Sequence, residues 1–345
     1  MRTVSLVVLP LLALGCGGLL DTPSPDTFDP SIKMPPGSSE PGVAPPKKPG
    51  PETVADDIGT PSAIVIDGNR LVIATRATRL DGKDLATGAV FVRDTRIGPT
   101  LMITVEREAM AYEALATDGE SAFVAVTDGR LLRIGFMGGD PAVVTRLAAR
   151  APVLATNGKY LYYASEAGDV GRIARDGSGE PETLASIAGS VRGIAADDAA
   201  VYVAAGAGVT RVALDTHDAK PIATTGGEPC AMVQSGTRLF WTATESVDKG
   251  AVLRAATDGG EVATVASGQF AACAIAADDK NLWFATTSSG EAAVRKAGAG
   301  LGVMRAPIAG GAPEALDGAA GAIAVAVDAT HIYWMTAHAV LRLAK

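Results

Sequence analysis

An all-β fold of seven four-stranded blades closed into a ring, a β-propeller, is predicted by three observations. A turn-and-strand pattern recurs seven times, its period is near forty residues, and a segment near the N-terminus supplies a strand that the last copy lacks. The copies read IDGNRLVIA (66–74), TDGESAFVA (117–125), TNGKYLYYA (156–164), ADDAAVYVA (196–204), QSGTRLFWT (234–242), ADDKNLWFA (277–285) and VDATHIYWM (327–335). Their turn markers, Asp67, Asp118, Asn157, Asp197, Ser235, Asp278 and Asp328, lie 51, 39, 40, 38, 43 and 50 residues apart, which is a propeller's spacing and not a solenoid's. Full copies continue through a third strand, a Gly-rich turn and a fourth strand, as in GAVLRAATDGGEVATVAS (250–267). No segment keeps a 3.6-residue period, so helices are not expected.

Before the repeats come two segments of different character. MRTVSLVVLPLLALGC carries Arg2, then an apolar run too short to span a bilayer, then small residues before a cysteine, the plan of an export signal. LALGC resembles the lipobox of bacterial lipoproteins, with Ala13 where the family prefers Leu. The resemblance implies cleavage after Gly15, acylation of Cys16, and a chain anchored to the bacterial cell envelope, at the outer membrane, without a transmembrane helix. Residues 17–51 hold ten of the chain's twenty prolines and no apolar periodicity, so they read as an extended, solvated tether. The expected division is therefore 1–15 signal peptide, 16–50 lipidated cysteine and tether, and 51–345 propeller.

The last copy, residues 322–345, has three strands. GPETVADD (50–57) matches the outer-strand segment GEPETLAS (179–186), so a strand at about 51–56 is expected to complete blade seven and close the ring. LFWTATESVDKGAVLRAATDGG and IYWMTAHAVLRLAK resemble YWTD-type and NHL-like propeller repeats. That resemblance spans residues 52–345, implies fold and a bias toward binding, and lacks the aspartate that ends the YWTD motif.

Several recurrent residues have structural readings. Ten of the sixteen aromatics occupy the paired strand positions Phe123, Tyr162, Tyr163, Tyr202, Phe240, Trp241, Trp283, Phe284, Tyr333 and Trp334, which points to packing between blades. Each third strand carries an arginine, Arg93, Arg133, Arg172, Arg211, Arg254, Arg305 and Arg342, too far from the axis to converge and expected to pair with cross-strand carboxylates or stack on aromatics. The marker aspartates suit turns. A calcium ladder is absent, and LDGKDLATG (80–88), its nearest approach, reads as a loop.

A net charge of -8 without basic clusters argues against nucleic acid. Three histidines, His217, His331 and His338, fall in separate loops, no hydrolase motif occurs, and no metal or cofactor is expected. Cys230 and Cys273 each precede their marker by five residues. On a sevenfold ring such equivalent positions come within bonding range, about 4.4 to 6.8 Å between Cα atoms, if the radius is ~7 Å. They form a candidate disulfide suited to an exported protein.

Binding is expected where loops depart from the repeat: 76–88 in blade one, 245–250 in blade five and 288–300 in blade six. These open on the same face as the interblade residues Tyr112, Glu113, Arg192, Glu228 and Phe270. The functional expectation is an envelope lipoprotein whose propeller binds or scaffolds an envelope protein or a glycan. The alternatives are an envelope assembly factor, by architectural analogy, and a channel-site hydrolase or lyase.

Overall fold

Alternation of β-branched or aromatic residues with small ones, cut every five to eight residues by Asp, Asn or Gly, gives a chain of short antiparallel strands. A computed structural model describes residues 50–345 other than 107, 225, 247, 248, 270, 271, 287–301 and 317. Cys16, the signal segment and the tether to residue 49, Phe270 and the blade-six loop 288–300 lie outside the described residues.

The strands form seven antiparallel blades. Blade one comprises Thr60–Asp67, Arg70–Leu80, Ala89–Asp94 and Leu101–Val105, and blade two Tyr112–Thr117, Ser121–Val126, Arg130–Gly135 and Ala142–Arg146. Blade three holds Val153–Thr156, Tyr160–Ala164, Asp169–Ala174 and Glu182–Ser186; blade four holds Val191–Ala196, Ala200–Ala205, Gly208–Ala213 and Ala219–Thr224. Blade five is Glu228–Ser235, Arg238–Ser246, Lys249–Ala256 and Ala263–Gln269, and blade six Ala272–Ala277, Asn281–Thr286, Gly302–Pro307 and Glu314–Ala315. Blade seven takes three strands from the C-terminus, Ala324–Val327, His331–Met335 and Val340–Ala344, and its fourth, Glu52–Ala55, from the N-terminus. The N-terminal strand runs antiparallel to the last one, with Glu52 opposite Arg342 and Ala55 opposite Val340.

The seven first strands touch one another in order and the seventh touches the first, so they surround the axis. Because each blade is antiparallel, the turns between first and second strands all lie on one face. The second-to-third connections and the interblade connections lie on the other.

Seven buried apolar clusters fill the seven seams between blades. The paired aromatics are all buried and are the largest members of six of these clusters, and Tyr112 is the largest in the seam between blades one and two. Flat rings are well suited to this, since facing sheets need side chains that fill a gap of about 10 Å.

The third-strand arginines do more than their sequence positions indicate. Arg172 pairs with Glu182 at 2.7 Å and lies over Tyr160, and Arg305 pairs with Glu314 beside Trp283, as cross-strand neighbours should. Arg342 likewise pairs with Glu52 across the strands at 2.8 Å, and Arg93, Arg254 and Arg342 also reach backbone carbonyls of adjacent blades, at Val54, Ile308 and Thr95. Charged donors on these carbonyls lock the outer part of those seams.

Two sequence expectations are corrected by the fold. LDGKDLATG is not a loop: Arg79 pairs with Asp84 and Leu80 with Lys83, making a hairpin through Lys83–Leu85. Asp81 and Gly82 both have positive φ, as the tight two-residue turn of a twisted hairpin requires. Tyr112 is not on an open face either. It pairs with Val126 and is fully buried in the seam between blades one and two. Gly88 leaves it room, since a Cβ there would come within 2.8 Å of the Tyr112 ring.

Candidate functional site

The site is built from a repeated irregularity. In five blades the first strand slips register by one residue, and the skipped residue is always the fifth before the turn marker: Ser62, Glu113, Arg192, Cys230 and Cys273. A bulge turns one side chain away from the alternation of its strand, and bulges recur beside functional sites for that reason. Cys230 and Cys273 are joined across their seam as a disulfide with Cα atoms 4.8 Å apart. Equivalent positions that close to one another lie about 5 to 6 Å from the axis of a sevenfold ring, which places the bulge residues at the mouth of the central channel.

The charged members of this rim are paired and accessible. Arg150 bonds Glu113 at 3.0 Å and Glu166 at 2.7 Å, and Arg192 stands 3.6 Å from Glu228. The hydrogen bond from Arg150 holds the Glu166 carboxyl below its usual range. Exposed pairs of this kind contribute only about 0 to 1 kcal/mol to stability, so exchanging one partner for an incoming charge costs little. Charge is concentrated at blades two to five, whereas the rest of the rim presents the disulfide and the exposed Ile323, with the Ser62 hydroxyl buried.

Two hairpins rise beside this mouth. The blade-one hairpin is braced at its base by Thr75 and Thr78, whose hydroxyls lie 2.8 Å apart, and by an Arg79–Asp57 pair at 3.0 Å. In blade five, Arg238–Ser246 and Lys249–Ala256 stay paired out to Ser246 and Lys249. Blades one and five are three steps apart around the ring, about 150°, so the hairpins flank the mouth from nearly opposite sides.

Of the residues expected at the binding face, Glu113, Arg192 and Glu228 are at this rim, Tyr112 is in the core, and Phe270 lies outside the described residues. Ser62, Arg150 and Glu166 were not singled out from the sequence. The five-residue offset that aligned the two cysteines would have found Ser62, while Arg150 and Glu166 carry no such signal.

The opposite face holds a cavity of about 690 Å³ lined by Ile66, Val327, Asp278, Asp328, Lys280 and Lys345, among others. Two of its carboxylates, Asp278 and Asp328, are occupied internally, while Asp279 is exposed. Asp278 accepts from the backbone N–H groups of Lys280 and Asn281, from the Trp283 indole and from the Lys345 ammonium. Asp328 likewise accepts from Thr330, His331 and the Tyr333 hydroxyl. A second recess of about 520 Å³ lies between the outer strand of blade one and blade two, lined by Glu106, Arg130, Leu132 and Val143 among others. Among the described residues, no three His, Cys, Asp or Glu side chains come together as a set that could hold a metal ion.

Partial burial alone would raise the Asp278 carboxyl, but its donors outweigh burial and pull it down to about 2. A group depressed in the folded state stabilises above its unfolded value, about 3.9, and that contribution disappears as pH falls through the folded value. Asp278→Asn is therefore expected to cost about 1 to 2 kcal/mol at pH 7, with the gap to the parent chain closing between about pH 4 and pH 2. Denaturant unfolding at pH 7, 4 and 2 measures this, and a gap that persists at pH 2 contradicts the assignment.

The blades and the rim together define a seven-bladed β-propeller. No protein-family model and no curated protein matches the chain. Solved structures do. A chain of the mitotic checkpoint complex is similar at 13% identity and a TM-score of 0.67, covering 88% of this chain and 96% of that one. The β-propeller domain of Cps50 (Swd1) from Myceliophteria thermophila is similar at 10% identity and a TM-score of 0.65, covering 86% and 99%. YCF48, bound to the D1 peptide, is similar at 11% identity and a TM-score of 0.61, covering 86% and 95%. At such identities the likeness is one of fold.

Proposed function

We propose that this chain is a membrane-tethered binding module of the cell envelope. Residues 1–15 direct export, acylated Cys16 and the Pro-rich segment to residue 50 hold the domain at the outer membrane, and the propeller engages a protein or glycan of the envelope. The observation that carries the binding role is the convergence on one face of the bulge rim and the two hairpins. A rigid scaffold presents irregular, accessible and electrostatically varied groups there, while on the opposite face Asp278 and Asp328 are engaged in internal bonds. The channel at the rim is narrow, so a macromolecular partner would rest on the mouth and not thread it. A propeller of similar fold holds the D1 peptide, which supports a peptide-like segment as one form of partner.

Two positions separate the faces experimentally. A photo-crosslinking amino acid at position 192, on the rim, and another at position 280, on the turn-marker face, are introduced singly into the full chain in cells that make it. Adducts from position 192 and none from 280 are the expected result, and adducts confined to 280 would overturn the assignment of the face. Cys16→Ser is expected to move the chain from the membrane fraction to the soluble fraction, and its retention on membranes would refute lipid anchoring.

A further inference from the structure

We propose that the Cys230–Cys273 disulfide is a redox-sensitive lock on the seam between blades five and six, where it forms part of the channel mouth. The other seams show what this one lacks. Asp67 of blade one accepts from the Gly119 N–H of blade two at 2.6 Å, and Asp118 of blade two pairs with Arg175 of blade three at 2.7 Å. Asn157 of blade three donates to the Asp197 carbonyl of blade four, and Gln234 of blade five donates to the Asp197 carboxylate at 3.0 Å. Asp278 of blade six takes the Lys345 ammonium of blade seven at 2.7 Å. Blade seven is tied to blade one by the N-terminal strand, whose Val54 carbonyl accepts from both Arg93 and Thr100.

The marker of blade five is Ser235, the only one that is neither Asp nor Asn. Among the described residues it makes no link to blade six on the turn-marker face, and these two blades are joined at the opposite face, at the channel mouth, by the disulfide. Arg254 bridges the same seam farther out, through the Ile308 carbonyl. Among these cross-seam ties the disulfide is the one that a reductant can undo.

Access and geometry both favour that chemistry. Cys273 is exposed and Cys230 half-buried. Both are the skipped residues of bulges, so their side chains can be released without breaking a backbone ladder. A dithiol reductant attacks one sulfur as its thiolate, forms a mixed disulfide and releases the other cysteine. Its second thiol then displaces the remaining cysteine, leaving two protein thiols and the oxidised reductant, with two electrons and two protons transferred. The apolar core of the seam, including Phe240, Val252, Leu282 and Phe284, keeps the blades together, so opening is confined to the channel end. Pro229, beside Cys230, pairs with Ala243 below the blade-five hairpin, and loosening there reaches the rim.

Hydrogen exchange of the full chain tests this, and the outcome does not depend on any partner. It is measured for the oxidised protein, the protein reduced with dithiothreitol, and the Cys230→Ser/Cys273→Ser variant. Amides of 228–235 and 272–277 are expected to exchange at least tenfold faster in the reduced protein and in the variant, while those of 112–117 and 153–156 change less than twofold. Reoxidation should restore protection in the wild-type chain. Unchanged exchange at the seam, or acceleration spread evenly over all blades, would overturn the lock.

Discussion

A chain beginning at Gly59 is expected to melt at least about 10 °C below one beginning at Gly50. The shorter chain loses Glu52–Ala55 and with it the fourth strand of blade seven. Val54, Ala55 and Ile58 are all buried in the seam between blades seven and one. Burying Val or Ile stabilises by about 1.5 to 3 kcal/mol each, so these two alone supply several kcal/mol of a total that is typically 5 to 15. Three further contacts go with them: the Arg342–Glu52 pair at 2.8 Å and the bonds that Arg93 and Thr100 donate to the Val54 carbonyl. Arg93, partly buried, would then lose its Val54 acceptor, which adds a desolvation penalty, while Arg342 keeps the Thr95 carbonyl. A shift of roughly 2 to 4 °C per kcal/mol gives the stated fall. Calorimetry of the two chains decides it, and equal melting temperatures would mean that the ring does not depend on this strand.

Trp334→Ala is expected to cost about 3 to 5 kcal/mol, the range for emptying an aromatic site that cannot collapse. Trp334 is fully buried between blades six and seven, against Trp283, Ala285, Val303, Val325 and Ile332. Substitution by Phe separates packing from hydrogen bonding. The Trp334 indole nitrogen has no acceptor among the described residues, so Phe removes a buried donor that was contributing nothing. Trp283 donates its indole N–H to Asp278 at 3.1 Å, and Trp283→Phe deprives a half-buried carboxylate of one partner. Trp334→Phe should therefore destabilise less than Trp283→Phe, although both lose similar area. Denaturant midpoints at constant m-value measure both, and the reverse order would show that the indole at 334 has a role the packing does not explain.

Much of the architecture was legible because it is written locally. Each marker turn and its following strand lie within nine residues, and Asp118, Asn157, Asp197, Asp278 and Asp328 cap their own turns by accepting backbone N–H groups two and three residues ahead. The hairpin at Asp81–Gly82 is equally local, and its two positive-φ turn residues, the pattern of a two-residue hairpin turn, carry the signal that the loop expectation lacks. Tyr112 shows the opposite difficulty. It sits at an interblade junction, where exposure is the ordinary expectation, and only the space left by Gly88, twenty-four residues earlier, allows the ring to be buried.

By itself the sequence determined the all-β class, the count of seven blades, the interblade placement of the aromatics and the joining of both chain ends in blade seven. These follow from period-two alternation, turn residues and a repeat that can be counted. The tertiary structure alone decided which groups meet across seams: Asp118 with Arg175, Gln234 with Asp197, Arg150 with Glu113 and Glu166, and the bulge residues with the channel mouth. Strand pairing within a blade is dictated by neighbours in the chain. Contacts between blades depend on the radius, tilt and twist that seven packed sheets adopt together, and no spacing in the sequence encodes those.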